Sequence, residues 1–244
     1  MTEMSTTNED DTGVPVTVAL PFDGVRLLRH ARWNALEFDE PRPVLSSAAV
    51  GGGDGMAGRI VNLCVDGPDA RAHCDDPQGC FDRLAAHHGW RGPVVGLMTG
   101  VCARKLGIAL QRIGDAAWLV LATVGTSGAH RAGRAPVPAQ GTGTINLVVC
   151  TQQDLTPAAR AEALMLATEA RCAALADRGI DSVNGQGPAT GTGTDAIAIA
   201  CTAGGGTPWT GYHTDSGHCL ARAVTTAIGF SLDGGGISGI ELPD

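Results

Sequence analysis

The sequence predicts a single α+β domain in which helices pack on a mixed, largely antiparallel β-sheet. Between residues 16 and 50, short β-prone runs alternate with turns that contain Pro or Asp-Gly. Later apolar runs, such as residues 196–201, follow turns rich in Gly and Thr, which is typical of buried strands. One long helical pattern begins after Thr156 and ends at Gly179. These patterns do not determine the order of the strands.

The composition is that of a globular protein with a sizeable core. The chain has 244 residues, of which 43% are hydrophobic and 17% are charged. Residues 1–14 are polar and acidic. We therefore expect a disordered acidic tail over residues 1–14, followed by one domain over residues 15–244.

Charge and hydropathy argue against a nucleic-acid or membrane partner. The net charge is −8, and the 17 Lys and Arg residues are scattered rather than clustered. No run reaches the roughly 18 apolar residues of a membrane span, and no export signal is recognisable. We expect a cytoplasmic protein whose eight cysteines are reduced and mostly buried, and a homo-oligomer is compatible with the sequence.

The remaining patterns predict the other elements. We expect an antiparallel meander over residues 16–50, a short helix near residues 103–111 and a loose C-terminus after Gly229. Asp76-Pro77 is a helix start and Gly89 a helix stop. Further strands are expected over residues 59–65 and 117–125, with an apolar run over 94–101 and a buried β-run after the Gly/Thr turn within residues 141–151.

Histidines and cysteines crowd the segment around this predicted helix: His73, Cys74, Cys80, His87 and His88. Zinc sites usually contain Cys-x-x-Cys or His-x-x-x-His spacing, and this segment has neither. We therefore expect an irregular helical insertion without a metal. A zinc-dependent hydrolase that uses this cluster remains an alternative.

Residues 126–134 form a loop that presents His130, Arg131 and Arg134 after a predicted buried strand. Such a loop is suited to recognition of an anion, although a solvated basic loop is equally compatible with it. Ser127 lies in the same loop and could act as a nucleophile only if a base reaches it.

Two Gly-Thr-Gly-Thr turns each lead into a buried strand. Asn146 follows the first turn, whereas Thr194 ends the second and Asp195 follows it. We expect these turns to deliver polar groups to neighbouring strands that line one site. Neither turn matches the phosphate-binding loop of nucleotide-binding proteins.

Glu169 is unexpected within the long helix because it shares a helical stripe with Met165, Cys172 and Ala176. A carboxylate within an apolar stripe is costly unless it is paired or its pKa is raised, and a raised pKa suits acid or base catalysis. A structural ion pair is the equally weighted alternative.

His213 precedes Thr214, a good N-cap for the last helix. The partial positive charge of a helix start favours the neutral imidazole, which can accept a proton. Packing of this helix on the preceding strand is expected to bring His213 close to Asp195, with Gly-rich N–H groups nearby for an oxyanion. The alternative is a histidine that only caps the helix.

Several of these segments resemble the adenosylcobinamide amidohydrolase family, also called CbiZ. The resemblance rests on ATGTGTDAIAIAC followed by GYHT, on VLSSAAVGGG, on TVGTSGAHRAG, and on GTINLVV followed by ATEARCAAL. They occur in the family's order between Val44 and Ile228. The family pattern has Asn, Asn and Lys where this chain has Val50, Gly128 and Arg171.

The resemblance implies hydrolysis of a linear carboxamide, the aminopropanol amide of adenosylcobinamide, to give adenosylcobyric acid in cobalamin salvage. No cofactor is expected, since the corrinoid substrate itself carries cobalt. We expect catalysis by His213, with Asp195 or Glu169 orienting it. Substrate contacts are expected from Ser46, Ser47, Ser127, Arg131, Asn146 and Thr194. The alternative is a corrinoid-binding protein without hydrolytic activity.

Overall fold

The computed structural model describes residues 13–67, 70–135, 137–138, 143–185 and 187–240, so most of the predicted acidic tail lies outside the described residues. Across these ranges the chain forms one ten-stranded sheet and four α-helices. The strands are β1 (Val16–Ala19), β2 (Val25–Arg29), β3 (Trp33–Ser46), β4 (Gly53–Cys64), β5 (Val94–Thr99), β6 (Gly107–Ile113), β7 (Ala116–Val124), β8 (Ile145–Thr151), β9 (Ala196–Ala200) and β10 (Gly236–Ser238). The helices are α1 (Ala70–Asp75), α2 (Pro77–His87), α3 (Pro157–Asp177) and α4 (Asp215–Leu232).

The sheet is mixed and largely antiparallel, as predicted. Its main path runs β1-β2-β3-β9-β8-β7-β6-β10, and β4 joins β3 to β5 off this path. Only β8 with β9, β4 with β5 and β6 with β10 are parallel among the strands of the described residues. The fold class predicted from the sequence is therefore confirmed.

Strand β3 bends the sheet. The pairing of β3 with β4 shifts register between Glu37 and Arg42, at a Pro-containing stretch that cannot supply every ladder donor. Before the shift β3 also pairs with β2, and after it β3 pairs with β9. The β-prone runs on either side of this Pro-containing break are thus parts of one strand, which brings Ser46 beside β9.

Helices α3 and α4 cover one face of the sheet. The buried face of α3 is rich in alanine, whereas Met165 is 62% exposed and Glu169 lies on the surface. The prediction of a buried stripe through Met165 and Glu169 is therefore wrong. The alanines Ala159, Ala163, Ala167, Ala170 and Ala174 form the stripe that the sheet covers.

The other face of the sheet closes on itself. Leu36, Ile60 and Leu97 from β3, β4 and β5 belong to the same core cluster as Leu119 and Val148 from β7 and β8. This arrangement places the inward side chains of β4 and β5 against those of β7 and β8. Polar side chains at the end of this enclosed core therefore project from facing strands and meet across the core.

Residues 229–240 are more ordered than the sequence predicts. Thr214 caps α4 as expected, and its hydroxyl accepts a hydrogen bond from the Gly217 N–H. The helix continues past Gly229 to Leu232, and β10 then pairs with β6. The helix expected near residues 103–111 is also wrong, because a single 3-10 turn there is followed by β6.

Cysteine burial agrees with the sequence prediction that these residues lie mostly in the core. Of the eight, those buried are Cys64, Cys80, Cys150, Cys201 and Cys219. Burial raises the pKa of the Cys150 thiol to about 12. Within the described ranges, no helix combines the length and the apolar character that a bilayer crossing requires.

Candidate functional site

A polar cluster lies inside the core where β7 ends and β8 and β9 begin. The Asn62 side-chain amide donates to the Thr123 hydroxyl at 2.8 Å, and the Asn146 amide donates to the Asn62 oxygen at 2.8 Å. All three side chains are at most 5% exposed. Burial of polar atoms is costly unless each is hydrogen-bonded, so this network fixes β4, β7 and β8 relative to one another.

Asn146 organises this cluster from its centre. Its amide also donates to the Met98 carbonyl at 2.8 Å, and its side-chain oxygen accepts from the Ala196 N–H at 3.2 Å. Both amide hydrogens and the oxygen are thereby used within the protein. The predicted direct contact of Asn146 with substrate is therefore not supported, and the residue instead holds β5, β8 and β9 in position.

The ends of the two Gly/Thr turns lie side by side, as the sequence predicts, while residues 141–142 of the first turn lie outside the described residues. Strands β8 and β9 are parallel neighbours, with Asn146 opposite Ala196. The hydroxyls of Thr144 and Thr194 are 2.7 Å apart. We call the region formed by Asn62, Thr123, Thr144, Asn146, Thr194 and Asp195 the polar end of the sheet.

Asp195 binds both turns together. Its carboxylate accepts from the Ile145 N–H at 2.8 Å and from the Thr192 N–H at 2.8 Å, as well as from the Thr192 hydroxyl. It also pairs with the Arg171 guanidinium at 3.1 Å, and both side chains are largely buried. The carboxylate is thus fully engaged in fixing the turns and α3.

The end of β3 completes the polar end. The Ser46 hydroxyl is buried, donates to the Ile197 carbonyl at 3.0 Å and accepts from the Ala48 N–H. The Ser47 hydroxyl accepts from the Ile197 N–H at 3.1 Å and lies at the surface. Ser46 is therefore structural, whereas Ser47 keeps a hydroxyl hydrogen that can reach a ligand.

A tight turn after β7 supplies backbone donors. The N–H of Ala129 donates to the Thr126 carbonyl, so the turn itself does not use the N–H groups of Ser127 and Gly128. A Cβ at Gly143 would lie 2.9 Å from the Ser127 nitrogen and 2.8 Å from the Gly128 nitrogen. Only glycine at position 143 permits this close packing, which brings two backbone donors to the start of β8.

His130 follows this turn. Its Nδ1 lies 2.6 Å from the Gly128 carbonyl oxygen, which can only accept, so Nδ1 carries the hydrogen. In the neutral ring Nε2 then has the free lone pair of a base. The His130 backbone pairs with Gly191, whose Cα faces Asp195 and Arg171. The half-buried imidazole is therefore tethered at the polar end.

Arg131 belongs to the same loop but is held by its neighbours. Its guanidinium donates to the Pro188 carbonyl at 2.8 Å, and its N–H donates to the Asn184 side chain at 2.8 Å. Ser127, in the same loop, and Thr194, directly before β9, both lie at the surface. The polar end thus gathers Ser47, Ser127 and Thr194 as accessible groups from the predicted set.

The prediction that His213 pairs with Asp195 is wrong. A helix that follows a strand starts at the carboxyl end of that strand, whereas Asp195 precedes the amino end of β9. Accordingly, Ser216 at the start of α4 donates to Gln153, beyond the last residue of β8. Since β8 has seven residues, about 23 Å at 3.3 Å per residue, His213 lies at the opposite end of the sheet.

Glu169 lies on the exposed side of α3. Its carboxylate accepts a hydrogen bond from the Tyr212 hydroxyl at 2.6 Å, and this bond raises the pKa of Tyr212. The buried acid expected from the helical pattern is absent at this position. Glu169 therefore ties α3 to the loop before α4, and the hydrogen bond of its carboxylate goes to Tyr212 rather than to the neighbouring His213 that it was expected to orient.

The cluster between His73 and His88 forms no metal-binding group. The Cys80 sulfur lies 3.3 Å from His73 Nδ1. Among the residues that the structure describes, no three His, Cys, Asp or Glu side chains converge as metal ligands would. A zinc-dependent hydrolase gains no support from this part of the chain.

Sequence patterns missed four members of the site: Asn62, Thr123, the tethered imidazole of His130 and Arg171 as the partner of Asp195. Asn62 and Thr123 sit within otherwise apolar strands, and a polar residue in such a run is the signal that could have identified them. The sequence predicted for His130 only a place in an anion-binding loop. Its tether to Gly128 depends on the turn and cannot be read from spacing.

Comparisons with known proteins place the chain in a family. A family model described as adenosylcobinamide amidohydrolase matches residues 21–234. The adenosylcobinamide amidohydrolase of Halobacterium salinarum is 34% identical over 210 residues, which cover 81% of this chain and 84% of that protein. An uncharacterized protein of Methanocaldococcus jannaschii is 38% identical over 93 residues, which are 38% of this chain and only 36% of that relative.

Two solved structures are also similar in part. A β-aminopeptidase of Burkholderia sp. has a TM-score of 0.47 at 16% identity, with 92% of this chain and 89% of that chain covered. A protein of Pyrococcus horikoshii OT3 has a TM-score of 0.45 at 15% identity, with 91% and 83% covered. The family match, by contrast, includes every element of the polar end. The chain belongs to the adenosylcobinamide amidohydrolase family.

Proposed function

We propose that this protein hydrolyses the aminopropanol amide of adenosylcobinamide at the polar end of the sheet, giving adenosylcobyric acid and aminopropanol. The observation that carries the proposal is the convergence there of a tethered imidazole, two backbone donors and accessible hydroxyls in a member of this family. In this proposal the substrate supplies the cobalt, and the protein contributes no cofactor of its own.

His130 acts as the general base. Because its Nδ1–H is directed to the Gly128 carbonyl, Nε2 accepts a proton from a water molecule as that water attacks the amide carbon. The resulting imidazolium then gives this proton to the departing amine nitrogen as the carbon–nitrogen bond breaks. Water is consumed, and a carboxylic acid and an amine are formed.

The backbone N–H groups of Ser127 and Gly128 stabilise the oxyanion of the tetrahedral intermediate. Fixed backbone donors need no reorganisation during the reaction, which makes them effective for this purpose. The Gly-rich segment 191–194 is less suitable than the sequence suggests. The N–H groups of Gly191 and Thr192 already donate to the His130 carbonyl and to Asp195.

The accessible hydroxyls hold the corrin periphery. Ser47 directly follows β3 and Thr194 precedes β9, and both lie at the surface on these neighbouring strands. Hydroxyl groups can donate to and accept from the carboxamides that surround a corrin ring. Asn146, Asp195 and Arg171 position these groups without contacting the substrate.

Release of aminopropanol tests the proposal directly. Purified protein is incubated with adenosylcobinamide, and both products are quantified by mass spectrometry. We expect equimolar aminopropanol and adenosylcobyric acid, formed in proportion to the protein added. Binding of the corrinoid without either product would support the alternative of a non-catalytic corrinoid-binding protein and would reject hydrolysis.

A further inference from the structure

A cavity lies on the opposite side of β4 from the polar end. It has a volume of about 310 Å³ and is bordered by the end of β4, by His73 from α1 and by α2. Side chains alternate along a strand, so Asn62 points to the polar cluster while Leu63 belongs to the separate core cluster under α2. The cavity is therefore independent of the site proposed for amide hydrolysis.

Basic side chains surround this cavity. Arg32, Arg83, His73 and His87 line it, and none of the described lining residues is acidic. The two guanidiniums come from different elements, Arg32 from the turn between β2 and β3 and Arg83 from α2. Two guanidiniums that approach a cavity from different sides are suited to a multivalent anion.

Arg32 and Arg83 each pair with a carboxylate but keep guanidinium N–H groups that these pairs do not use. Arg32 bonds Asp66 at 2.8 Å and the Cys64 carbonyl at 3.3 Å, whereas Arg83 has a 3.5 Å contact with Asp76. A guanidinium has five N–H donors, so these contacts do not exhaust either side chain. Both acids are more than half exposed, which weakens their hold through solvent screening.

The wall of the cavity is partly apolar. Leu63 and Leu84 line it beside the basic groups, and the His73 ring is positioned by the Cys80 sulfur at 3.3 Å. A cavity of this size accepts a small organic molecule rather than a bare ion. Apolar walls next to paired guanidiniums fit a ligand with a hydrophobic body and a dianionic head.

We propose that this cavity binds a small organic phosphate, with Arg32 and Arg83 on the phosphate and Leu63 and Leu84 on the organic part. The phosphate dianion offers three terminal oxygens to two guanidiniums, which a carboxylate cannot match. This inference does not depend on the proposed hydrolysis, because no residue of the polar end lines the cavity.

Calorimetric titration of the full chain with phenyl phosphate tests this proposal. We expect saturable binding with a Kd of about 1 mM or lower. Arg83→Gln should weaken it at least about tenfold. Arg71→Gln is the matched control, because Arg71 is 92% exposed on α1 and does not line the cavity. The affinity of this variant for phenyl phosphate should equal that of the unaltered protein.

Three further ligands separate the contribution of the phosphate group from that of the aromatic ring. Benzyl alcohol, benzoate and inorganic phosphate should each bind more weakly than phenyl phosphate. Aminopropanol release by Arg83→Gln should equal that of the unaltered protein. Failure of phenyl phosphate to saturate, equal affinity in Arg83→Gln, or tighter binding of benzoate would overturn the proposal.

Discussion

Replacing His130 by alanine is expected to lower kcat for aminopropanol release by about 10²–10⁴-fold, the usual contribution of a general base. The imidazole is the base in the proposed mechanism, and its 2.6 Å contact with the Gly128 carbonyl tethers it at the polar end. Its side chain is only half-buried, so the variant should remain folded. Steady-state kinetics with adenosylcobinamide would measure kcat, and circular dichroism would show whether the variant is folded.

His213→Ala is the matched control for this experiment. His213 is exposed at the start of α4, at the end of the sheet where α4 contacts Gln153. We expect its kcat to remain within roughly a factor of two of the unaltered protein, as for a surface residue away from the chemistry. The opposite outcome, in which His213→Ala is inactive and His130→Ala is active, would overturn the assignment of the base.

Asp195→Ala is expected to destabilise the fold by about 3–5 kcal/mol, which is typical when one partner of a buried ion pair is removed. The substitution leaves the largely buried Arg171 without its carboxylate and frees the N–H groups of Ile145 and Thr192. Urea unfolding followed by tryptophan fluorescence would give the change in the free energy of unfolding.

Asp233→Ala provides the comparison for this second prediction. Asp233 forms the same kind of pair with Arg178, with N–O distances of 2.8 Å, but both side chains are exposed. Because solvent screens such pairs, we expect only a small loss of stability. Equal losses in both variants would show that burial of the Arg171–Asp195 pair contributes nothing.

The positions of the two Gly/Thr turns were predictable from the sequence because identical local patterns precede two buried strands. Thr144 and Thr194 meet as expected, and β8 and β9 are adjacent. Prediction of the position of His213 required knowing that the chain leaves β9 at the end opposite to Asp195. A strand carries the chain away from its first residue, so the helix after β9 starts far from Asp195 and returns toward it.

The last turn of α4 reaches back to the polar end of the sheet. The Ser231 hydroxyl accepts from the Val124 N–H at 2.9 Å, next to Thr123 of the polar end. Local periodicity identified the helix and its cap but carried no information about which end of the sheet each helix terminus reaches. The alanine-rich face of α3 was missed for a related reason, since large residues such as Met165 dominated the predicted stripe.

Contacts between distant segments account for the rest of what sequence reasoning missed. Asn62 and Asn146 meet because β4 lies across the closed sheet from β8, and Arg171 reaches Asp195 because α3 packs on β9. Neither contact has a signature in residue spacing. Polar residues within apolar strands indicate that such partners must exist, without identifying them.

A crystal structure of the His130→Ala variant with adenosylcobinamide bound would test the position of the reaction most directly. The account predicts that the oxygen of the aminopropanol amide accepts hydrogen bonds from the N–H groups of Ser127 and Gly128, with the corrin edge against Ser47 and Thr194. An amide bound beside His213, at the other end of the sheet, would contradict it.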